Sequence, residues 1–538
     1  MILGYVTRYA EFRRFQIEPE LTTTPPTYPS ILSIFGRTFA FVAFPKNLLY
    51  TATTYGEVQR PICMPLLAGS VYIVQGKRHI QSLWKASAKS SSTALHIFTL
   101  QYWFAMPQKT IRRYAADNSG FGPKPHPGSN VKPNNRTDRI SHIVFKESLA
   151  GPDAPSICQN FAVRFSQRIT GLEIADTWTR MPDLVEFFQE HMTPANTESL
   201  WGLHLTENTS YCSDFWAFTS RLQYLSYRFP QWLIPNLHAR RDRLLAAMKQ
   251  WQHHGTDNQT PPWEQKGYDV QYWGSPTMRK WQKMFRDMDD SDDDGMASVN
   301  LAFSWAVNSN VIPSAFWTVL EVFQRPKLLA EVRSRLPRIS STSDLLHVIS
   351  QPEHRAAFCA DPLLQSIFAE TLRLKVHVYT ARRFIHNSID LGGWEIPQDK
   401  LCLVSSHPAH RHGKEWNTAE GKRPLDEFWP HRFLFHPGSI PVSSDFDSTQ
   451  TLSTDNSGVY FSLEGLEGCW IPFGGGPRGC PGQKLAKHHM ITVLVAMVLL
   501  FDIDVLADEK ALRLDETKYG AGALHPMGKI SYRIRRKF

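Results

Sequence analysis

The chain has 538 residues, seven cysteines and a formal net charge of +9. Seven cysteines without paired spacing exclude a disulfide-stapled scaffold and fit a reducing compartment. The basic residues do not interleave with aromatics into a nucleic-acid tract, so the charge suits an acidic redox partner or an anionic membrane surface instead.

Met1–Glu20 carries Arg8, Glu11, Arg13 and Arg14, and Ile31–Phe44 is apolar but short and contains Arg37. Neither reaches the ~20 apolar residues of a membrane span. Residues 1–30 therefore read as an N-terminal segment ending in the proline-rich Pro25–Pro29, and 31–538 as one large domain. Peripheral membrane contact through Ile31–Phe44 is expected. Pro61–Leu67 and Val71–Val74 read as early strands of a small sheet, and the Gly/Pro/Asn-rich stretch 117–137 as a loop.

The acidic run Asp287–Asp294 precedes a long apolar stretch, Val299–Trp317, read as one central helix containing Asn310, Ile312, Pro313 and Ser314. The run mimics a calcium loop, but its twelfth position is Leu301 rather than Glu, and a solvated loop is the reading kept. Pro313 should withhold a hydrogen bond from the carbonyl of Ser309 and distort that turn. Glu370 and Arg373 lie three apart, on one helix face, among Leu363, Leu364, Ile367, Phe368, Leu372 and Leu374. Their surroundings mark a buried pair that needs further partners. Thr380–Ile385 reads as a strand, with a Gly392-Gly393 turn after it, and Phe428–Phe433 carries Arg432. Residues 438–458, rich in Ser, Thr and Asp, read as a surface insertion.

Phe473-Gly-Gly-Gly-Pro-Arg478-Gly-Cys480-Pro-Gly482 is the most informative segment. Glycines allow sharp turns and close approach of a planar ligand. Pro481 suits the first turn of a following helix, whose positive end would favour a thiolate at Cys480. Cys469, eleven residues upstream, has no comparable setting and reads as an ordinary buried thiol.

Written F-x-x-G-x-R-x-C-x-G, this loop resembles the haem-binding loop of cytochromes P450. The resemblance covers roughly residues 25–538 and is strongest from 296 onward; between about 105 and 270 no motif aligns. It implies a mainly α fold with a smaller β-sheet region, and haem b (iron protoporphyrin IX) with Cys480 as its axial thiolate and metal ligand. Phe473 would shield the sulfur, and Gly476 and Gly482 would shape the loop. Arg478 and Arg383, the latter ten residues before Gly393, would hold propionates, with Arg382 able to exchange roles with Arg383. Glu370, Arg373 and Arg432 would form a structural triad. Gly520–Leu524 would be a turn facing the substrate pocket.

At the family's usual acid–alcohol pair this chain has Ile312 and Pro313. That departure resembles a branch containing sterol 7-hydroxylases and prostacyclin synthase. Asn310, Pro313 and Ser314 become the candidate catalytic residues. The implied activity is monooxygenation of an apolar, terpenoid or sterol-like small molecule, with electrons from NADPH through NADPH-cytochrome P450 reductase. The alternative is an isomerase or dehydratase that needs no external electrons. By the same resemblance the chain works as a monomer at the cytoplasmic face of the endoplasmic reticulum, with its anchor lost or truncated, in secondary metabolism of fungal type.

Overall fold

The computed structural model describes residues 23–29, 32–54, 60–257, 273–436, 458–518 and 520–538. Met1–Glu20 and nearly all of the insertion expected at 438–458 lie outside the described residues.

Ten helices and eight strands position the site. The helices are α1 (Ile34–Ala43), α2 (Thr93–Tyr102), α3 (Thr137–Leu149), α4 (Ala154–Thr170), α5 (Leu184–Trp201), α6 (Pro235–Asp257), α7 (Asp293–Asn308), α8 (Val311–Phe323), α9 (Pro362–Lys375) and α10 (Gln483–Leu500). The strands are β1 (Ile62–Leu66), β2 (Gly69–Ile73), β3 (Thr179–Met181), β4 (Val376–Arg383), β5 (Leu401–Ser405), β6 (Phe501–Val505), β7 (Ala521–Ala523) and β8 (Tyr532–Arg536). The sheet order β1-β2-β5-β4-β7 makes a five-stranded sheet, and β6-β8-β3 a three-stranded one. The fold is mainly α with small sheets, as expected.

Every residue of α8 is buried, and so is α10 from His489 to Leu500. Helices apolar on all faces belong in the centre of a large core, and α8 packs there against α5, α9 and α10. α7 is well capped: Asp292 accepts from the Gly295 N–H at 2.6 Å, and Asp293 and Asp294 occupy its first turn. An acidic N-terminus complements the helix dipole.

The central helix is not continuous. It breaks at Ser309 and Asn310 into α7 and α8, and Pro313 falls in the first turn of α8. There its missing N–H costs nothing, because first-turn donors have no intrahelical acceptor. Proline thus starts a second helix rather than kinking a single one.

The proline segment makes a single parallel bridge to β1 at Thr27 and Cys63: Tyr28 N–H donates to Cys63 O, and Cys63 N–H donates to Pro26 O. No helix among the described residues is long and apolar enough to cross a membrane.

Candidate functional site

The cysteine loop is pressed against Trp84. Gly474 and Gly476 have φ of +69° and +66°. A Cβ at Gly475 or Gly476 would lie 2.5 Å from the Trp84 indole nitrogen or the Trp84 carbonyl oxygen, respectively. These two glycines therefore serve packing on Trp84, and Gly476 does not line the cavity as a cofactor-binding residue would. Gly482 does line it. Cys480 N–H donates to Phe473 O at 2.9 Å, closing the loop. Phe473 packs between Phe368 and Trp470 and lines the same cavity as Cys480.

α10 starts at Gln483, so Pro481 stands before the helix, not in its first turn. Burial pushes the Cys480 thiol above its ordinary range, and the Gly482 N–H pulls the other way. Desolvation outweighs the expected pull toward thiolate. The accessible surface of Cys480 belongs to an internal cavity, which explains how a residue exposed by area is enclosed by protein.

That cavity has a volume of about 560 Å³. Phe303, Ala306, Val307, Val311, Leu372 and Val376 supply an apolar wall. Asn310 and Ser314 also face it, whereas Ile312 and Pro313 do not line it. Ser314 Oγ donates to Asn310 O at 2.8 Å. Asn310 Oδ1 accepts from the Ala523 N–H at 2.9 Å, an approach that depends on Gly522: a Cβ there would sit 1.8 Å from Oδ1. Trp317 Nε1–H donates to Leu524 O at 2.7 Å. The 520–524 segment thus lies behind Asn310 and β4 and does not itself line the cavity, unlike the pocket-facing turn expected.

The arginine assignment shifts by one residue. Adjacent strand residues point to opposite faces. Arg382 is buried and lines the cavity. Arg383 turns outward and pairs with Asp399 at 2.9 Å, its side chain 42% exposed. Arg478 lines the same rim and donates to both oxygens of Asp138. The Nε atoms of Arg382 and Arg478 are buried without a partner. Two orphaned cationic donors on one rim, with Cys480 in the same cavity, fit a flat group that carries two carboxylates and a metal.

His96 and His142 border this rim too. Sequence reasoning missed both, since neither sits in a recognisable motif. The alternation of β4, read against Asp399, would have separated Arg382 from Arg383.

The buried ion-pair cluster assembles. Glu370 accepts from Arg373 Nε at 2.7 Å and Nη2 at 2.9 Å, and from Arg432 Nε at 3.4 Å, all three side chains fully buried. Trp429 N–H also donates to Glu370, Arg373 donates further to the carbonyls of His410 and Leu425, and Arg432 to those of Asn417 and Pro424.

His410, missed by the sequence reading, links this cluster to the cysteine loop. One ring nitrogen accepts from the Ile471 N–H at 3.0 Å, so the other donates to Arg373 O at 3.0 Å. Burial, reinforced by Arg373, holds its imidazole well below the ordinary range and therefore neutral.

Residues 297–532 match the family model described as Cytochrome P450. The chain is 26% identical over 532 residues to Cytochrome P450 monooxygenase efuG of Hormonema carpetanum, covering 95% of this chain and 90% of that protein. It is 29% identical over 531 residues to Cytochrome P450 monooxygenase fsoE of Humicola fuscoatra, covering 95% and 88%. Cholesterol 7-alpha-monooxygenase of Cricetulus griseus is 24% identical over 259 residues, 46% of each chain. With the cysteine loop, the buried Glu–Arg–Arg cluster and these relatives in agreement, the chain carries a cytochrome P450 domain at residues 297–532, is similar to cytochrome P450 monooxygenases along nearly its whole length, and is an oxidoreductase.

Proposed function

We propose that the chain is a haem-thiolate monooxygenase that oxidises an apolar small molecule, with terpenoid or sterol-like compounds as the substrate class. The observation that carries this is the single cavity holding Cys480, two orphaned arginine donors and the apolar wall of α7 and α8. Cys480 would ligate the iron of haem b, while Arg382 and Arg478 would hold its propionates. When bound, the group supplies oxygen activation, which a thiolate ligand favours by donating electron density.

The protein's own residues supply binding and orientation. The apolar wall desolvates the substrate and excludes water. Asn310 Oδ1 is taken by the Ala523 N–H and its Nδ2 donates to Ser309 Oγ at 3.4 Å, which leaves one Nδ2–H for a ligand in the cavity, and Ser314 Oγ is committed to Asn310 O. Pro313 acts by setting the break that presents Asn310.

The match to named monooxygenases favours this reading over an isomerase or dehydratase. A role in fungal secondary metabolism, electrons from NADPH through its reductase, and monomeric action at the endoplasmic reticulum complete the proposal. Peripheral membrane docking draws support from Phe35, Phe39 and Val42, exposed along one face of α1. Product analysis under labelled oxygen, with and without NADPH and reductase, tests the reading: label in the product only with both supports it, and turnover without them refutes it.

A further inference from the structure

The Gly/Pro/Asn-rich segment 117–137 is a folded strap. Buried Arg136 donates from Nε to Ser119 Oγ at 3.1 Å, from Nη1 to Pro123 O at 3.0 Å, and from Nη2 to Gly120 O at 3.2 Å and Gly122 O at 2.6 Å. Asp117 accepts from the hydroxyls of Ser119 and Thr137 and from the Asp138 N–H. At the far end Asp289 accepts from Lys132 at 2.8 Å, Asn135 at 2.9 Å and Asn134 at 3.1 Å, contacts that hold its carboxyl at about 2. The strap lies against the cavity rim: the Phe121 ring is 4.6 Å from the Arg478 guanidinium and edge-on to His142 at 4.5 Å.

The middle turn of the strap, 124–131, is fastened differently. The His126 ring stacks on that of His386, just beyond β4, with centroids 3.4 Å apart and planes 8° from parallel. Other bonds of the turn stay within the strap. His126 N–H donates to Ser119 O at 2.8 Å, Ser129 N–H to His126 O at 3.0 Å, and Ser129 Oγ to Asn118 Oδ1 at 2.8 Å. His126 Nδ1 lies 3.1 Å from Pro127 O, which can only accept, so Nδ1 carries the proton and Nε2 is the basic site.

Neutral rings pack well in this geometry, whereas two imidazolium ions so close repel. Burial lowers the proton affinity of His386 and His126 lowers it further, with no acid opposing them. The nearest charges along the chain are Lys124 and Arg383, and Asp399 is committed to Arg383 at 2.9 Å. The stack of His204 on His254, with centroids 4.1 Å apart, differs: Glu207 lies 3.2 Å from His204 and can balance a proton there.

We propose that the His126–His386 stack is an acid-released latch on the strap beside the arginine rim. Neutral, it holds the turn 124–131 against the end of β4. When both rings take protons from solvent, the turn lets go, while Arg136 and the ionised Asp289 keep the rest of the strap in place. The sign follows from His386: its proton affinity is lower in the closed state, so the open state binds the extra protons. Closure is therefore lost as pH falls below the ordinary imidazole value of about 6.5. The latch does not depend on the haem reading.

Hydrogen exchange of the full chain, read by mass spectrometry at pH 7.5, 6.5 and 5.5 and divided by the intrinsic rate at each pH, tests this. Protection of the peptide holding the His126 and Ser129 amides should fall about tenfold or more between pH 7.5 and 5.5, while α3 keeps its protection. His386→Phe leaves a ring that takes no proton and attracts a protonated His126, so the turn should stay protected at pH 5.5. His204→Phe should leave the fall intact. Protection independent of pH in the native chain overturns the inference. So does an equal fall in His386→Phe, or a fall shared equally by α3, which is acid unfolding of the whole. If His386→Phe does not fold, His126→Phe makes the same test.

Discussion

At the scale of single residues, Arg382 and Arg383 show how one position separates a buried donor from a surface charge. Arg382→Ala removes a buried cation with an unpartnered Nε from the cavity rim and should speed haem loss to a scavenging globin several-fold. Arg383→Ala, which breaks only an exposed pair with Asp399, should leave haem retention unchanged, since exposed pairs contribute little. Equal effects of the two would contradict the placement. Cys480, Glu370, Arg373 and Arg432 were legible in the sequence because fixed spacing carries them. His96 and His410 were not, because their partners lie more than thirty residues away in the chain, and His142 was not, because it sits in no recognisable motif.

At the scale of elements, the break between α7 and α8 and strand β7 are locked together through Asn310, Gly522 and Ala523. Gly522→Ala overpacks this contact, at a φ of +130°, and should cost about 1–3 kcal/mol of stability. Asn310→Gly in the same chain removes the clash and should restore part of it; strict additivity in the double mutant would contradict the lock. Arg432→Ala leaves Glu370 and Arg373 buried with a partner missing and should cost about 3–5 kcal/mol, read by chemical denaturation.

The break itself was only half legible. Pro313 announces a disturbance, but the helix restart depends on Asn310 finding Ala523, more than two hundred residues on. The same limit explains the 520–524 segment, whose glycines signal close approach without naming Asn310 and Tyr379 as what approaches.

At the scale of the molecule, buried neutral histidines set the acid limit. Burial holds His489 at about 3, and its ring stacks on Phe161 at 3.8 Å. A folded-state value below the unfolded one means that the unfolded chain binds the extra proton. Stability should therefore fall as pH drops below about 6.5 toward 3, by roughly 1.4 kcal/mol per pH unit for each such histidine. His489→Phe should flatten part of that slope in thermal unfolding; an unchanged slope would assign the acid limit elsewhere. The fold class was legible in the sequence because apolar helices and the cysteine loop dominate it. The N-terminal half of the cavity was not, since α2 and α3 line it through residues of no recognisable pattern.

The central claim is that Cys480 supplies a thiolate to a haem held in this cavity. The most direct test is the reduced, carbon monoxide-bound absorption spectrum of the purified chain beside that of Cys480→Ser. The thiolate band characteristic of the family should appear in the native chain and vanish in the variant. A band absent from the native chain, or retained in the variant, would contradict it.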